Sequence, residues 1–201
     1  MDSAMKITIL LVEDDRLVLH TLSRGLRDAG YCVLEADSAE LAMQLCTGST
    51  PDLALLDMRL AGMSGLDFAR WLKSTLAVPF LFLSAYNDSS AVGAAAELGS
   101  LGYLVKPLDV SQILPAIHTA LQRAAEIKKL RQAELDLNAA LKTSRSISMA
   151  IGLLMQRYGC DADATFAALR AYCRTHRKRM SDVADQLIEH RSEVDLTQYL
   201  K

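Results

Sequence analysis

Cysteine is scarce in this 201-residue chain, and Cys32, Cys46, Cys160 and Cys173 lie far apart with no CxxC spacing. That excludes a disulfide-stapled scaffold, and the four read as buried thiols of a reducing compartment. No apolar run reaches the roughly 18 residues needed to cross a bilayer. Met1, Asp2 and Ser3 lack the basic region that opens a secretory leader, so a soluble, cytoplasmic protein is expected. Internal repeats and low-complexity tracts are also missing. Neither sign of charge dominates: 22 Lys and Arg face 24 Asp and Glu, for a net −2, with 51% hydrophobic residues. This globular balance excludes a disordered or collagen-like chain. The length suits two small domains, each able to fold without metal or disulfide help.

The near-neutral total conceals an asymmetry. Residues 1–119 carry 8 basic and 14 acidic side chains, or −6, whereas residues 141–191 carry 9 and 5, or +4. An acidic front and a basic rear imply two tasks, with a polyanionic partner expected at the rear. In the front, short apolar runs alternate with amphipathic stretches, the signature of a parallel sheet flanked by helices. Strands are expected at residues 7–12, 33–36, 53–57, 80–84 and 102–105. Helices fit between them: one over 16–29, with Leu19, Leu22 and Leu26 on one face, one after an N-cap at Ser38, and one capped by Asp109.

No glycine occurs between Gly102 and Gly152, and beyond Ser111 the pattern predicts a long helix. Ile117, Leu121, Ala124, Ile127, Leu130, Leu137 and Leu141 keep near a 3.5-residue spacing, which favours a dimeric coiled coil over residues 120–140. From Thr143 three helices are expected. Ile147, Ile151 and Leu154 share a face of the first. Asp161 or Asp163 caps the second, with Phe166, Leu169 and Cys173 inward, and Val183, Leu187 and Ile188 line the third. Gly159 fits the residue just past a helix end.

The chemistry-bearing residues of the front half fall at carboxyl ends of strands. Glu13, Asp14 and Asp15 follow the first strand, Asp57 ends the third, Ser84 the fourth, and the fifth leads into Lys106 and Pro107. In an open parallel sheet these ends share one edge, where such folds place ligands. Carboxylates crowded there repel one another unless a cation intervenes, and oxygen donors with retained water suit Mg²⁺. Ser84 offers a hydroxyl and Lys106 a fixed positive charge, as a phosphoryl group on Asp57 requires.

Four motifs carry a resemblance: Leu10-Leu11-Val12-Glu13-Asp14-Asp15; Leu55-Leu56-Asp57-Met58-Arg59-Leu60 with Gly62-Met63-Ser64-Gly65; Leu83-Ser84-Ala85; and Gly102-Tyr103-Leu104-Val105-Lys106-Pro107. Residues 6 to about 120 resemble the receiver domain of two-component response regulators. The resemblance implies a five-stranded doubly wound α/β fold, flavodoxin-like, with Asp57 as phosphoacceptor from a sensor histidine kinase. It implies Mg²⁺ held by Glu13, Asp14, Asp57 and the backbone carbonyl of Arg59, with Ser84 and Lys106 on the phosphoryl group. It makes Tyr103 a switch residue and the Lys106–Pro107 bond cis. The short connection between Asp57 and Ser84 implies a trimmed third helix or exit loop.

The rear carries Ser144-Arg145-Ser146-Ile147, Ala150-Ile151-Gly152-Leu153-Leu154-Met155, Ala164 to Leu169, and Met180-Ser181-Asp182-Val183-Ala184. Over residues 138–191 it resembles the ANTAR domain, an RNA-binding antitermination module. Ile151 stands where that family usually has Lys, and Arg177 where it usually has Asn. The resemblance implies a phosphorylation-controlled transcription antiterminator that dimerises on activation and grips tandem hairpins of a nascent mRNA leader. Lys142, Arg145, Arg174, Arg177, Lys178 and Arg179 are the expected RNA contacts, with Arg157 and Arg170 further cations, and Tyr158, Tyr172 and His176 could stack on loop bases. Domain bounds of 1–119, 120–140 and 141–201 follow. The alternative reading is a helical output that docks a protein and never touches nucleic acid. No recognition helix for DNA emerges, and outside the receiver no catalytic set or Gly-rich phosphate loop suggests an enzyme.

Overall fold

The computed structural model describes residues 6–85, 89–189 and 194–200. Met1 to Ser3 and the last two residues of the ANTAR resemblance lie outside them. The chain divides into two compact units, Met1–Lys128 and Lys129–Lys201.

In the first unit, β1 (Thr8–Val12), β2 (Cys32–Ala36), β3 (Leu53–Asp57), β4 (Phe80–Ala85) and β5 (Tyr103–Lys106) pair in parallel in the order β2-β1-β3-β4-β5. Successive side chains point to opposite faces of a strand. Leu10, Val12, Leu56 and Phe82 accordingly pack with α2 (Ala39–Gly48) and α3 (Gly65–Thr75). Ile9, Leu11, Leu55 and Leu83 pack on the other face with α1 (Arg16–Asp28) and with Ile113, Ile117 and Ala120 of α5. The short helix α4 (Ser89–Glu97) completes the set that follows strands. Central β3 is buried along its whole length, as a strand covered on both faces must be.

Sequence chemistry sets the helix starts. Asp15 accepts the Leu17 and Val18 N–H groups, Ser38 that of Leu41, and Ser64 that of Asp67. At the start of α5 the Ile113 N–H bonds the Asp109 carbonyl, and Gln112 reaches back to accept the Asp109 N–H at 3.2 Å. The shortened connection after Asp57 falls on the exit loop, since α3 keeps 11 residues and only residues 76–79 separate it from β4. Ala77 takes a left-handed φ of 53° there.

The cysteines are not uniformly buried. Cys46 and Cys173 are, but Cys32 is exposed and Cys160 intermediate. Cys32 opens β2, an edge strand with one flank unpaired, and Cys160 lies in the turn after Gly159.

Helix α5 runs unbroken from Val110 to Tyr158 and supplies elements to both units. The first of the three rear helices is the continuation of this one through Thr143, since Thr and Ser are tolerated in helix interiors. Pro115 lies one turn inside α5, where it removes the single ladder bond to the Ser111 carbonyl. Ile127, Leu130, Leu137 and Leu141 are exposed on this helix.

In the second unit α6 (Ala162–Thr175) and α7 (Met180–Ile188) pack with the end of α5 around Ala150, Leu154, Leu169, Cys173, Val183 and Leu187. Asp161 caps α6 through the Ala164 N–H at 2.8 Å. Phe166 does not face inward; it is 41% exposed, and Thr165 is buried instead. Thr165 tolerates that site because its hydroxyl donates to the Asp161 carbonyl at 2.7 Å. Residues 194–200 close the core with Val194 and Leu196. Tyr158 clasps them: its hydroxyl donates to the Val194 carbonyl at 3.0 Å and accepts the Leu196 N–H at 3.1 Å.

Helix α6 ends in a Schellman turn. The Lys178 N–H donates to the Cys173 carbonyl at 2.9 Å and the Arg177 N–H to that of Arg174 at 3.3 Å. Arg177 thereby sits at φ 51°, a conformation that favours Gly or Asn and costs other residues about 1–2 kcal/mol. Arg177→Gly should therefore stabilise this unit by about 1 kcal/mol, seen as a higher urea midpoint of its unfolding transition.

Candidate functional site

Backbone pairing carries each strand end to one edge. The Glu13 N–H still bonds the Ala36 carbonyl and that of Met58 the Leu83 carbonyl, so Glu13 and Asp57 leave the sheet side by side. Both are buried, as is Ser84, while Asp14 is exposed. One oxygen each from Glu13, Asp14 and Asp57 lies within 4.8 Å of the others. Asp15, the fourth carboxylate of the edge, is spent on capping α1.

Lys106 holds the buried pair together. Its Nζ is 2.5 Å from Asp57 Oδ2 and 2.6 Å from Glu13 Oε2. The approach to Glu13 is a charge contact without hydrogen-bond alignment, so Oε2 remains buried with no aligned donor. Asp57 Oδ1 accepts the Arg59 N–H at 2.9 Å, which turns the carboxylate toward the edge. Burial is the main cause that drives the Glu13 carboxyl up, to about 7. The Asp57 charge adds to the rise, and the nearby Lys106 ammonium opposes it without prevailing. For Lys106, burial disfavours the ammonium, yet the hydrogen bond to Asp57 and the nearby Asp57 and Glu13 carboxylates outweigh it and hold the group above the ordinary lysine value.

This donor set fits a hard divalent cation. Three clustered carboxylates, one with an oxygen that finds no aligned donor, have acceptor capacity and negative charge in excess of what one ammonium satisfies.

Tyr103 stands at the start of β5 and is 47% exposed. The Lys106–Pro107 bond is cis. Sequence reasoning quoted Gly65 only as part of a motif, yet the position is sterically decisive: a Cβ there would lie 1.9 Å from the Asp57 carbonyl oxygen. It also gave Glu40 no role. Glu40 reaches from α2 to accept the Met63 N–H at 3.4 Å and steadies the loop after Asp57. No local signal marks a contact across 23 residues.

The basic residues of the second unit are surface groups. Arg174, Arg177, Lys178 and Arg179 crowd into the turn between α6 and α7, and Lys142 and Arg145 lie on α5. All six are exposed, and none has an ion-pair partner among the described residues. Tyr158 is not free to stack on a ligand, since its hydroxyl clasps residues 194–200. Tyr172 is half-buried between His176, stacked at 4.1 Å, and Tyr199.

A five-stranded parallel sheet with an acidic edge and an apposed lysine is the architecture of a receiver domain, here followed by an α-helical unit. The family models agree: residues 9–118 match the response regulator receiver domain and residues 135–188 the ANTAR domain. Transcriptional regulatory protein PdtaR of Mycobacterium tuberculosis (strain ATCC 25618 / H37Rv) is 30% identical over 189 residues, 94% of this chain and 92% of its own. DNA-binding response regulator MtrA of Mycobacterium bovis is 30% identical over 139 residues, 67% of this chain and 61% of its own. The signal receiver domain of a modulated diguanylate cyclase from Desulfovibrio desulfuricans G20 superposes with a TM-score of 0.56 at 30% identity, over 60% of this chain and 97% of that one. The chain belongs to the response regulators, and its output is an ANTAR domain. It is a two-component regulator of transcription, a regulatory arrangement, and no described helix is long and apolar enough to cross a membrane.

Two outcomes check this geometry. Gly65→Ala should destabilise the first unit by about 1–3 kcal/mol, since backbone rather than a flexible side chain must yield, and a lower urea midpoint would report it. In metal-free buffer with chelator, folded Glu13 keeps its proton to about pH 7, whereas the unfolded carboxyl releases it near 4.5. The folded chain binds more protons in that window, so stability should fall as pH rises through it. Midpoints at pH 5 and pH 7.5 should differ in that sense, and Glu13→Gln should flatten the difference.

Proposed function

We propose that this protein is a phosphorylation-controlled transcription antiterminator that binds hairpin RNA. The observation that supports it best is the pairing of a buried Asp57 held by Lys106 in one unit with an unneutralised cationic turn in an ANTAR unit. A sensor histidine kinase is the proposed donor. An Asp57 carboxylate oxygen attacks phosphorus, the P–N bond of the donor phosphohistidine breaks, and the imidazole leaves. Little covalent work falls to the protein, so alignment and charge suffice.

Glu13, Asp14, Asp57 and the Arg59 carbonyl would hold Mg²⁺, which supplies positive charge against the phosphoryl oxygens. Lys106, already 2.5 Å from Asp57, is proposed to pair with the new phosphoryl group, and the Ser84 hydroxyl to bond one of its oxygens. Loss of the Asp57 partner then alters what Ser84 and Lys106 hold, and Tyr103 on β5 is the proposed reporter of that change.

Lys142, Arg145, Arg174, Arg177, Lys178 and Arg179 are the proposed RNA contacts. Exposed cations without internal partners give affinity through counterion release, so binding should weaken steeply with salt. The exposed seam of α5, from Ile127 to Leu141, supports homodimerisation through residues 120–140. Two weak sites joined in a dimer gain from effective concentration on tandem hairpins. Nascent RNA as target implies action in the cytoplasm.

Asp57→Asn should abolish labelling by a phosphodonor, and gel binding of tandem-hairpin RNA should tighten at least tenfold when wild-type protein is treated with acetyl phosphate and Mg²⁺. Equal failure to bind in both arms overturns the reading.

A further inference from the structure

Between the last turns of α5 and the start of α6, within the second unit, runs an open groove of about 500 Å³. Ile147, Ile151 and Phe166 make its apolar surface, and Thr143, Ser144 and Ser148 line it with hydroxyls. Phe166 presents 41% of its surface to solvent beside it. An exposed ring that shares a groove with two isoleucines offers a flat apolar surface to a ligand.

A second helix is a poor occupant. Ile127, Leu130, Leu137 and Leu141 follow alternating steps of three and four residues, broken only at Glu134, and the next two steps fall on Ser144 and Ser148. A helix packed over these would bury two hydroxyls where a coiled coil needs apolar knobs. The apolar seam therefore stops where the groove begins. A nucleobase matches the lining better, since its flat face suits an aromatic ring and its polar edge suits hydroxyls that both donate and accept.

Charge points the same way. Arg170 follows Phe166 by four residues, one turn along the same side of α6. Arg145 lies on α5 between Ser144 and Ser148. Both are exposed without an ion-pair partner among the described residues, and no carboxylate lines the groove. A base in the groove would carry its phosphates past these cations.

We propose that the groove receives one unpaired base of an RNA hairpin loop, stacked on Phe166, with Arg170 on a neighbouring phosphate. The proposal rests on the RNA reading above and adds a base subsite to it, separate from the cationic turn between α6 and α7.

Its test is a titration of the full chain, treated with acetyl phosphate and Mg²⁺, with tandem-hairpin RNA in which each loop nucleotide in turn is made abasic. In the wild type one loop position should cost about tenfold in affinity. Phe166→Leu keeps apolar bulk but removes the ring. It should weaken intact RNA by a similar factor and lose all sensitivity to the abasic site at that position. Its salt dependence should match the wild type, whereas Arg170→Gln should lower the slope of log affinity against log salt by about one. Wild-type affinity in Phe166→Leu overturns the subsite, as does weakened self-association in that variant with abasic sensitivity retained, which would make the groove an interface between copies. Failure of the wild type to bind any hairpin is a different result and overturns the underlying RNA reading.

Discussion

One ammonium shared by two buried carboxylates organises the first half of this molecule. Glu13 and Asp57 are thrown together because β1 and β3 are adjacent and parallel, and Lys106 from β5 contacts both. The sheet order places these three chain segments at one edge, and the close approach at Gly65 lets the α3 end of the loop sit against the Asp57 backbone. The balance is incomplete: burial raises the Glu13 carboxyl, the Asp57 charge adds to it, and the one lysine does not offset them. An unbalanced site is a responsive one: a divalent cation finds excess negative charge to neutralise as it binds.

The second half is built on a different constraint. Its short helices must turn sharply, and the α6–α7 turn does so with an arginine in a backbone conformation better suited to glycine. The same turn concentrates four cations that make no ion pair among the described residues. Local stability is thus set against surface charge at one residue, Arg177, the kind of compromise found where a surface serves binding.

Much of this was legible in the sequence. The strands could be read because each is a short apolar run ended by a chemically distinct residue, and Glu13, Asp57, Ser84 and Lys106 were legible for that reason. The caps at Ser38 and Asp161 obeyed local side-chain chemistry. What escaped depends on three-dimensional packing. Phe166 and Thr165 are neighbours on one helix, and only the tertiary crossing decides which is buried. Pro115 and the Thr143 to Ser146 run look like interruptions, yet packing and a run of good helix formers carry α5 through them. The Gly65 clash and the Glu40 contact need coordinates, as does the use of the Tyr158 hydroxyl.

The Tyr158 clasp bears on how this output could be transplanted. The stretch matched by the ANTAR model ends at residue 188, but Val194 and Leu196 belong to the same apolar interior. A chimaera that borrowed only the matched stretch would strip Val194 and Leu196 from the apolar interior and strand a phenol with nothing to hold. The portable module is therefore the helices together with their closing peptide, and its edges are drawn by packing rather than by likeness to relatives.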